Sequence, residues 1–400
     1  LNGLFQPTRI KSLTLENRLV RSATHEGLAD EDGFPTPSLL TLYQRLAKGG
    51  VGLIITGFAF VSPDGKCMLG GMLGIDRDRH VEAYRRLVDQ VHSAGARIAM
   101  QIVHCGRQTR PEAIGQQPLA PSAVRDKSLF VTPRPMTEDD IERVILAFGQ
   151  AARRVRESGF DAVQVHAAHG YLLNQFLCPH TNRRTDRWGG SIENRMRIIT
   201  RIYRQCRREV GPDYPILIKI NASDAMKKGL KPEESLIMAR MMSDLGFDGL
   251  EISCGIGEDG LSMSRGDLPV EALLDHWEIY KNKNPLYRLL MRRLGRMILK
   301  PRPFEPAYNL PLARAVKGLV KTPVFLVGGL CHPQTLHRIV ERGEADYVAL
   351  SRALIADPFW PRKIKDGRPE PNRCLHCNLC LAYLPGRPLQ CYYGKRLGPG

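Results

Sequence analysis

AVQVHAAHGYLLNQFLCPHTNRRTDRWGGSIENRMRIITRIYRQCRREVGPDYPILIKIN, Ala162–Asn221, holds one complete strand–helix–strand unit. Its ends, Ala162–Ala168 and Ile216–Asn221, are short, β-branched-rich and almost continuously apolar. That is how strands buried on both faces of a parallel sheet read. Between them, Ile192–Val210 carries apolar residues at helical spacing among arginines, the pattern of a crossover helix. The same reading gives strands at Arg18–His25, Val51–Phe58, Arg97–His104, Gly249–Cys254, Val324–Val327 and Tyr347–Leu350. Helices are predicted at Asp76–Ala94, Thr137–Ser158, Lys231–Leu245 and Leu310–Leu319. Thr137 with Asp140 forms a capping-box pattern, and Gly159 and Gly246 are C-terminal stops. So regular an alternation predicts a closed (β/α)8 TIM barrel rather than an open doubly wound sheet.

A barrel places its chemistry at the C-terminal ends of its strands. Polar residues recur there: Thr24 and His25, Gln101 and His104, His166 and His169, with Lys219 on the fifth strand. Gly328-Gly329 follows the seventh strand and Ser351-Arg352 the eighth. The glycines let backbone amides approach an anion, and the hydroxyl and guanidinium complete a phosphate-binding pattern between these two loops. His166-Ala-Ala-His169-Gly-Tyr171 brings two imidazoles and a phenol to one strand end. Such a group can bind an acceptor oxygen and deliver a proton; core histidines or a metal pair are the alternatives. Gly255–Gly260 satisfies G-x-G-x-x-G, but Leu261 to Pro269 reads as loop. Without the helix that receives a pyrophosphate, it is a βα loop and not a dinucleotide fingerprint.

The C-terminal tail carries Cys374, Cys377, Cys380 and Cys391 in the spacing C-x2-C-x2-C-x10-C. A tight run of thiolates with one distant fourth suits a [4Fe–4S] cluster. Structural zinc more often uses two separated knuckles, and a disulfide framework is not expected in a chain of this kind. The other six cysteines are scattered singly, and Leu1 to Leu19 lacks the layout of an export signal. Both point to a reducing, cytoplasmic setting. No apolar run reaches the length of a membrane span.

Net charge is +17, with no aromatic-interleaved basic motif, so nucleic acid is not the expected partner. An anionic substrate, an acidic protein or a membrane surface are the candidates. Much of the charge lies in the Arg-rich helices around Arg153 to Arg208 and in the stretch Tyr280 to Arg302. The second stretch belongs to an insertion at about 259–307 between strands six and seven, where leucines recur at helical spacing among arginines. The expected reading is a solvated cationic helix packed on the barrel by its apolar side. Docking to a membrane surface or a partner protein is the alternative.

Taken together, Asn17-Arg18, GGVGLIITG (Gly49–Gly57), QIVHCGR (Gln101–Arg107), PRPMTEDDI (Pro133–Ile141), the block Gly159–Arg195, VGG (Val327–Gly329) and ALSRALIADP (Ala349–Pro358) resemble the Old Yellow Enzyme family of FMN-dependent NADH:flavin oxidoreductases. With the cysteine tail, the chain looks like its iron–sulfur branch, which contains 2,4-dienoyl-CoA reductases and trimethylamine dehydrogenase. The resemblance implies an FMN-binding barrel over residues 1–366 and a cluster-binding extension over 367–400. It implies that Ala23 and Thr24 lie against the flavin ring and that Gln101 binds its pyrimidine edge. It sets Lys219 beside the electron-rich side of the isoalloxazine. Gly328, Gly329, Ser351 and Arg352 would hold the FMN phosphate. His166 and His169 would grip the acceptor oxygen, Tyr171 would donate the proton, and the four tail cysteines would ligate the cluster. His25 departs from the Thr or Cys usual at its position. Longer members of the branch continue into an FAD- and NAD(P)H-binding region whose fingerprint does not occur in these 400 residues.

The expected activity is reduction of an activated C=C bond in an α,β-unsaturated carbonyl or enoyl-CoA thioester, with NADH or NADPH as a possible donor. An amine or other dehydrogenase passing electrons through the cluster, or an electron-transfer subunit of a larger complex, is the alternative. A redox partner protein or reductase subunit and a homo-oligomeric state are expected.

Overall fold

The computed structural model describes residues 3–260, 262–368 and 370–395. Leu261, where the loop reading began, and the last residues of the tail, 396–400, lie outside the described residues. Eight parallel strands close in chain order: β1 (Leu19–Arg21), β2 (Leu53–Ile55), β3 (Arg97–Val103), β4 (Ala162–Ala167), β5 (Ile216–Asn221), β6 (Gly249–Ser253), β7 (Val324–Val327) and β8 (Tyr347–Leu350), with β8 pairing β1. The fold is the expected TIM barrel. Around it lie α1 (Pro37–Lys48), α2 (His80–Ser93), α3 (Glu138–Glu157), α4 (Ile192–Val210), α5 (Pro232–Leu245), α6 (Pro285–Leu299), α7 (Leu310–Leu319) and α8 (Pro333–Glu341). The capping box at α3 is present: Asp140 N donates to Thr137 Oγ1 at 3.2 Å and Thr137 N to Asp140 Oδ2 at 2.9 Å.

The barrel interior is layered. At the bottom, Val20, Leu53, Ala99, Ala162, Leu217 and Phe325 from the strands pack on Ile10, Leu13 and Leu15. Those three belong to a hairpin, Thr8–Ile10 with Leu13–Leu15, that the sequence reading did not include. Gly249 is small because the Phe325 ring occupies the space: a Cβ there would lie 2.7 Å from it. Above this apolar floor the same strands turn polar. Register sets Gln101 opposite Gln164, His166 opposite Lys219, and Lys219 opposite Glu251.

The first two strands are shorter than expected. After Arg21 the chain leaves the sheet, because a buried carboxylate takes over the hydrogen bonding. Arg21 donates to Ile55 O at 2.7 Å and to Glu26 Oε1 at 2.8 Å, and Gly57 N donates to that same oxygen at 2.9 Å. Two short strands, Ala59–Phe60 and Leu73–Gly74, extend the sheet beside the upper end of β3.

The insertion contradicts the expected orientation of its helix. Arginines of α6 turn toward the body of the protein, where Arg288 pairs with Asp275, Arg292 with Glu271 and Arg296 with Asp267. The leucines turn outward, with Leu286 76% exposed and Met297 71%. Amphipathicity fixes two faces but not which is inward; here the cationic face meets three acids upstream of the helix. The insertion also seats the cysteine tail. Trp277 Nε1 donates to Ala382 O at 3.2 Å, and Asn378 Nδ2 to Ser264 O at 2.8 Å and Asp267 O at 2.9 Å. No helix among the described residues is long and apolar enough to cross a membrane.

Candidate active site

One cavity of about 660 Å³ opens at the C-terminal ends of the strands. Ala23, Thr24, Gln101, His166, His169, Tyr171, Lys219, Gly328, Gly329, Ser351 and Arg352 all line it, although they come from six different strand ends. Cys374 and Cys380 reach its wall as well, whereas Cys377 and Cys391 do not.

Its floor is the polar layer of the barrel. Lys219 is buried and donates to Ser22 Oγ at 2.9 Å, with Glu251 Oε1 at 3.3 Å. Ser22 Oγ donates to Glu251 Oε1 at 2.5 Å, Gln164 Nε2 to Glu251 Oε2 at 2.7 Å, and Gln101 Nε2 to Gln164 Oε1 at 2.6 Å. Burial lowers the Lys219 ammonium from its usual range, and the Glu251 carboxylate opposes that fall. A cation is thereby held at the base of the cavity in a fixed hydrogen-bonded frame. Glu251, Gln164 and Ser22 escaped the sequence reading. Their signal was a single carboxylate in an otherwise apolar strand, GLEIS, and a single amide in AVQVHA.

The His-x-x-His-x-Tyr segment forms one wall. His169 adopts φ +62° with Gly170 beside it at φ +82°, and this left-handed turn swings the second imidazole back over the first. The two rings meet edge to face at 5.1 Å, and the Tyr171 ring stands 4.9 Å from His166. Ala168 N donates to His166 Nδ1 at 3.4 Å, which assigns the ring proton to Nε2. His169 Nε2 shares a hydrogen bond with Ser253 Oγ at 2.7 Å. Burial, then the charges of His169 and Lys219, keep His166 well below the ordinary imidazole range. Burial and Lys219 hold His169 down to about 3. Both rings are therefore neutral at pH 7 and act through N–H rather than as acids. Burial, with the Cys105 and Cys67 thiols nearby, keeps the Tyr171 phenol well above its usual range, so it stays protonated.

His25, the departure at the end of β1, stacks on Phe58 at 5.1 Å and donates from Nε2 to Gly70 O at 3.2 Å. Burial lowers it to about 4, the Gly70 bond opposing. These histidines carry a pH prediction. In the unfolded chain each titrates near 6.5, and in the folded protein only at lower pH, so the unfolded state takes up the protons first. Stability is complete above pH ~6.5 and should fall as pH drops toward 4, by about 1.4 kcal/mol per pH unit for each of the buried pair His25 and His166. Urea denaturation at pH 7.5 and pH 5 reads this directly; equal midpoints would contradict it.

Gly328 (φ +125°) and Gly329 (φ +71°) are required by backbone conformation and by the close approach of residues 305–309 on their far side. Asn309 Nδ2 donates to Val327 O at 2.7 Å and fixes that approach. Arg352 does more than face the cavity: its Nη1 donates to Arg265 O at 2.8 Å and to Asn378 Oδ1 at 2.7 Å. One guanidinium thus joins the cavity wall to the cysteine tail.

The loop Gly255–Gly260 closes on itself. Asp259 accepts from Ile256 N at 3.1 Å, Ser262 N at 3.0 Å and Ser262 Oγ at 2.7 Å, and Glu258 pairs with the buried Arg107. The loop's own acids take these groups, so it does not present them to a phosphate.

The four tail cysteines are free thiols. Burial raises Cys380 to about 12; Arg352 opposes the rise, and Cys374, Cys377 and Cys391 add to it. They are neighbours with the donor chemistry an iron–sulfur cluster uses. Among the described residues, however, no three His, Cys, Asp or Glu side chains stand close enough together to hold a metal ion.

A parallel barrel whose rim gathers neutral imidazoles, a protonated phenol, a buried lysine and a Gly-Gly/Ser-Arg pair has the framework of a flavin-dependent oxidoreductase. The family model described as NADH:flavin oxidoreductase / NADH oxidase matches residues 3–255 and 299–371, and the chain belongs to that family. Most of the insertion and the cysteine-bearing tail, which pack on each other, fall outside the matched segments. The chain is 38% identical over 380 residues to an NADH oxidase of Thermoanaerobacter brockii, covering 94% of this chain and 53% of the relative. It is 31% identical over 364 residues to an NADPH dehydrogenase of Bacillus subtilis, covering 90% and 93%. A solved 2-naphthoyl-CoA reductase in complex with 2-naphthoyl-CoA superposes with a TM-score of 0.83 at 26% identity, covering 98% of this chain and 56% of that one. The chain thus spans about half the length of two of these three.

Proposed function

We propose that this chain binds FMN in the cavity and reduces the C=C bond of an α,β-unsaturated carbonyl compound, an enoyl-CoA thioester included, with NADH or NADPH as donor. The observation that carries this reading is the convergence of His166, His169, Tyr171 and Lys219 on one cavity, with Lys219 held by Glu251. When bound, reduced FMN supplies the hydride. Gln101 and Lys219 would hold the pyrimidine edge, Ala23 and Thr24 the ring, and Gly328, Gly329, Ser351 and Arg352 the phosphate. His166 and His169, being neutral, present N–H groups to the acceptor oxygen and stabilise the negative charge that develops there. Each such donor typically contributes ~3–4 kcal/mol to lowering a barrier. Tyr171 gives its proton to the α-carbon. The complex of the 2-naphthoyl-CoA reductase supports a thioester carbonyl as one acceptor class. Supplying enones and enoyl-CoA thioesters to the NADPH-reduced protein, and following which restores the flavin colour, tests the assignment.

The barrel, 1–366, and the extension, 367–400, form two units in this reading, the second holding a [4Fe–4S] cluster on Cys374, Cys377, Cys380 and Cys391. The Arg352–Asn378 hydrogen bond joins the cavity wall to the tail that carries these cysteines. The alternative reading is a dehydrogenase delivering electrons to a partner protein. Cys377→Ser is expected to abolish iron and sulfide binding while leaving bound FMN at wild-type stoichiometry. Iron content unchanged in the variant, or zinc in the wild type, would contradict the cluster.

A further inference from the structure

The outward face of α6 has no covering among the described residues. Leu286, Leu289, Leu290, Leu294, Met297 and Ile298 are all exposed, in one contiguous stripe along the helix. A stripe of this kind on a surface helix marks a contact site. Between Glu278 and Arg302 the sequence holds eight Lys or Arg residues against one acid. Three of these cations are spent on the insertion's own carboxylates. Lys281, Arg293, Lys300 and Arg302 are exposed and join no ion pair among the described residues. Arg293 lies within the apolar stripe; Lys281, Lys300 and Arg302 lie just beyond the two ends of the helix.

We propose that this face docks on an anionic lipid bilayer, with α6 lying in the interface plane. An exposed aliphatic stripe edged by unpaired cations is the arrangement of interfacial helices. The six exposed side chains are all aliphatic or Met, with no aromatic or hydrogen-bonding group among them. Lysines, depleted at protein interfaces, are favoured beside the apolar face of a helix lying on a lipid surface. The +17 charge of the whole chain adds attraction to an anionic surface. The docked face adjoins the cavity: Ile298 and Leu299 at the end of α6, with Trp277 and Tyr280, are part of its lining. A docked molecule would therefore turn its cavity mouth toward the bilayer, within reach of an acceptor dissolved in lipid. The inference stands apart from the proposed reaction, since it rests on the surface alone.

The test is co-sedimentation of the 400-residue chain with vesicles of phosphatidylcholine alone or mixed with phosphatidylglycerol. Binding is expected to the mixed vesicles only, weakening as salt rises. The variant Leu286→Ser/Leu290→Ser/Met297→Ser should bind at least roughly tenfold more weakly. Arg293→Glu/Lys300→Glu changes only exposed residues and should lose the preference for phosphatidylglycerol even if the triple variant folds poorly. Absence of sedimentation, or equal binding of wild type and both variants, overturns the proposal. So does a lipid-free dimer, seen by sedimentation velocity, that the serine variant dissociates, because a second copy would then be the occupant.

Discussion

Tyr171→Phe is expected to slow reoxidation of the reduced protein by an unsaturated carbonyl by about 10²–10⁴-fold, the usual worth of a positioned general acid. Reduction by NADH or NADPH should stay near wild type, because the phenol takes no part in that half-reaction. The selectivity follows from the site. Tyr171 stands 4.9 Å ring to ring from His166, and burial with two neighbouring thiols keeps its proton in place. Neither imidazole can replace it, since both are held neutral far below pH 7 and have no excess proton to give. Stopped-flow traces of the two half-reactions separate the outcomes. Equal loss in both would make Tyr171 a binding residue, and wild-type reoxidation would end its role as donor.

Glu251→Gln should have the second large effect, although the residue is fully buried and is not part of the cavity lining. The carboxylate accepts from Ser22 and Gln164 and faces Lys219 at 3.3 Å. Neutralising it leaves a buried ammonium without a counter-ion, a change that costs about 3–5 kcal/mol in comparable pairs. Because burial already depresses Lys219, the lysine should lose its proton in the variant. FMN affinity should then fall at least roughly tenfold with the loss of that cation. Replacing both partners, Glu251→Leu with Lys219→Met, should recover part of the stability but not flavin binding: a buried ion pair can be exchanged for apolar residues at little cost, but Gln164 Nε2 loses its acceptor. Denaturant unfolding and flavin titration measure the two consequences independently. Wild-type flavin affinity in the double variant would remove Lys219 from the site.

Much of this could be read from the residues. β5, β7, β8, α4 and α7 begin and end where apolar period and flanking turns set them. The rim residues followed from barrel logic, because strand ends carry the polar exceptions. What stayed hidden was long-range. Glu251 looks like one interruption in an apolar strand until register sets it beside Lys219. The orientation of α6 brings its arginines to Asp267, Glu271 and Asp275, acids that precede the helix and pair with it only in space. The early end of β1 depends on Glu26, whose carboxylate bonds to both Arg21 and Gly57. Local pattern describes an element; its partners decide where that element stops and which way it faces.

Under the proposed function, a flavin in the barrel mouth passes electrons to a carbonyl-activated double bond. Anaerobic spectroscopy of the FMN-loaded protein tests it most directly. One FMN per chain is expected, bleached by NADH or NADPH and restored by an enone or enoyl-CoA thioester. A protein that stays colourless after incubation with FMN, or whose bound flavin neither bleaches nor recovers under those additions, would contradict it.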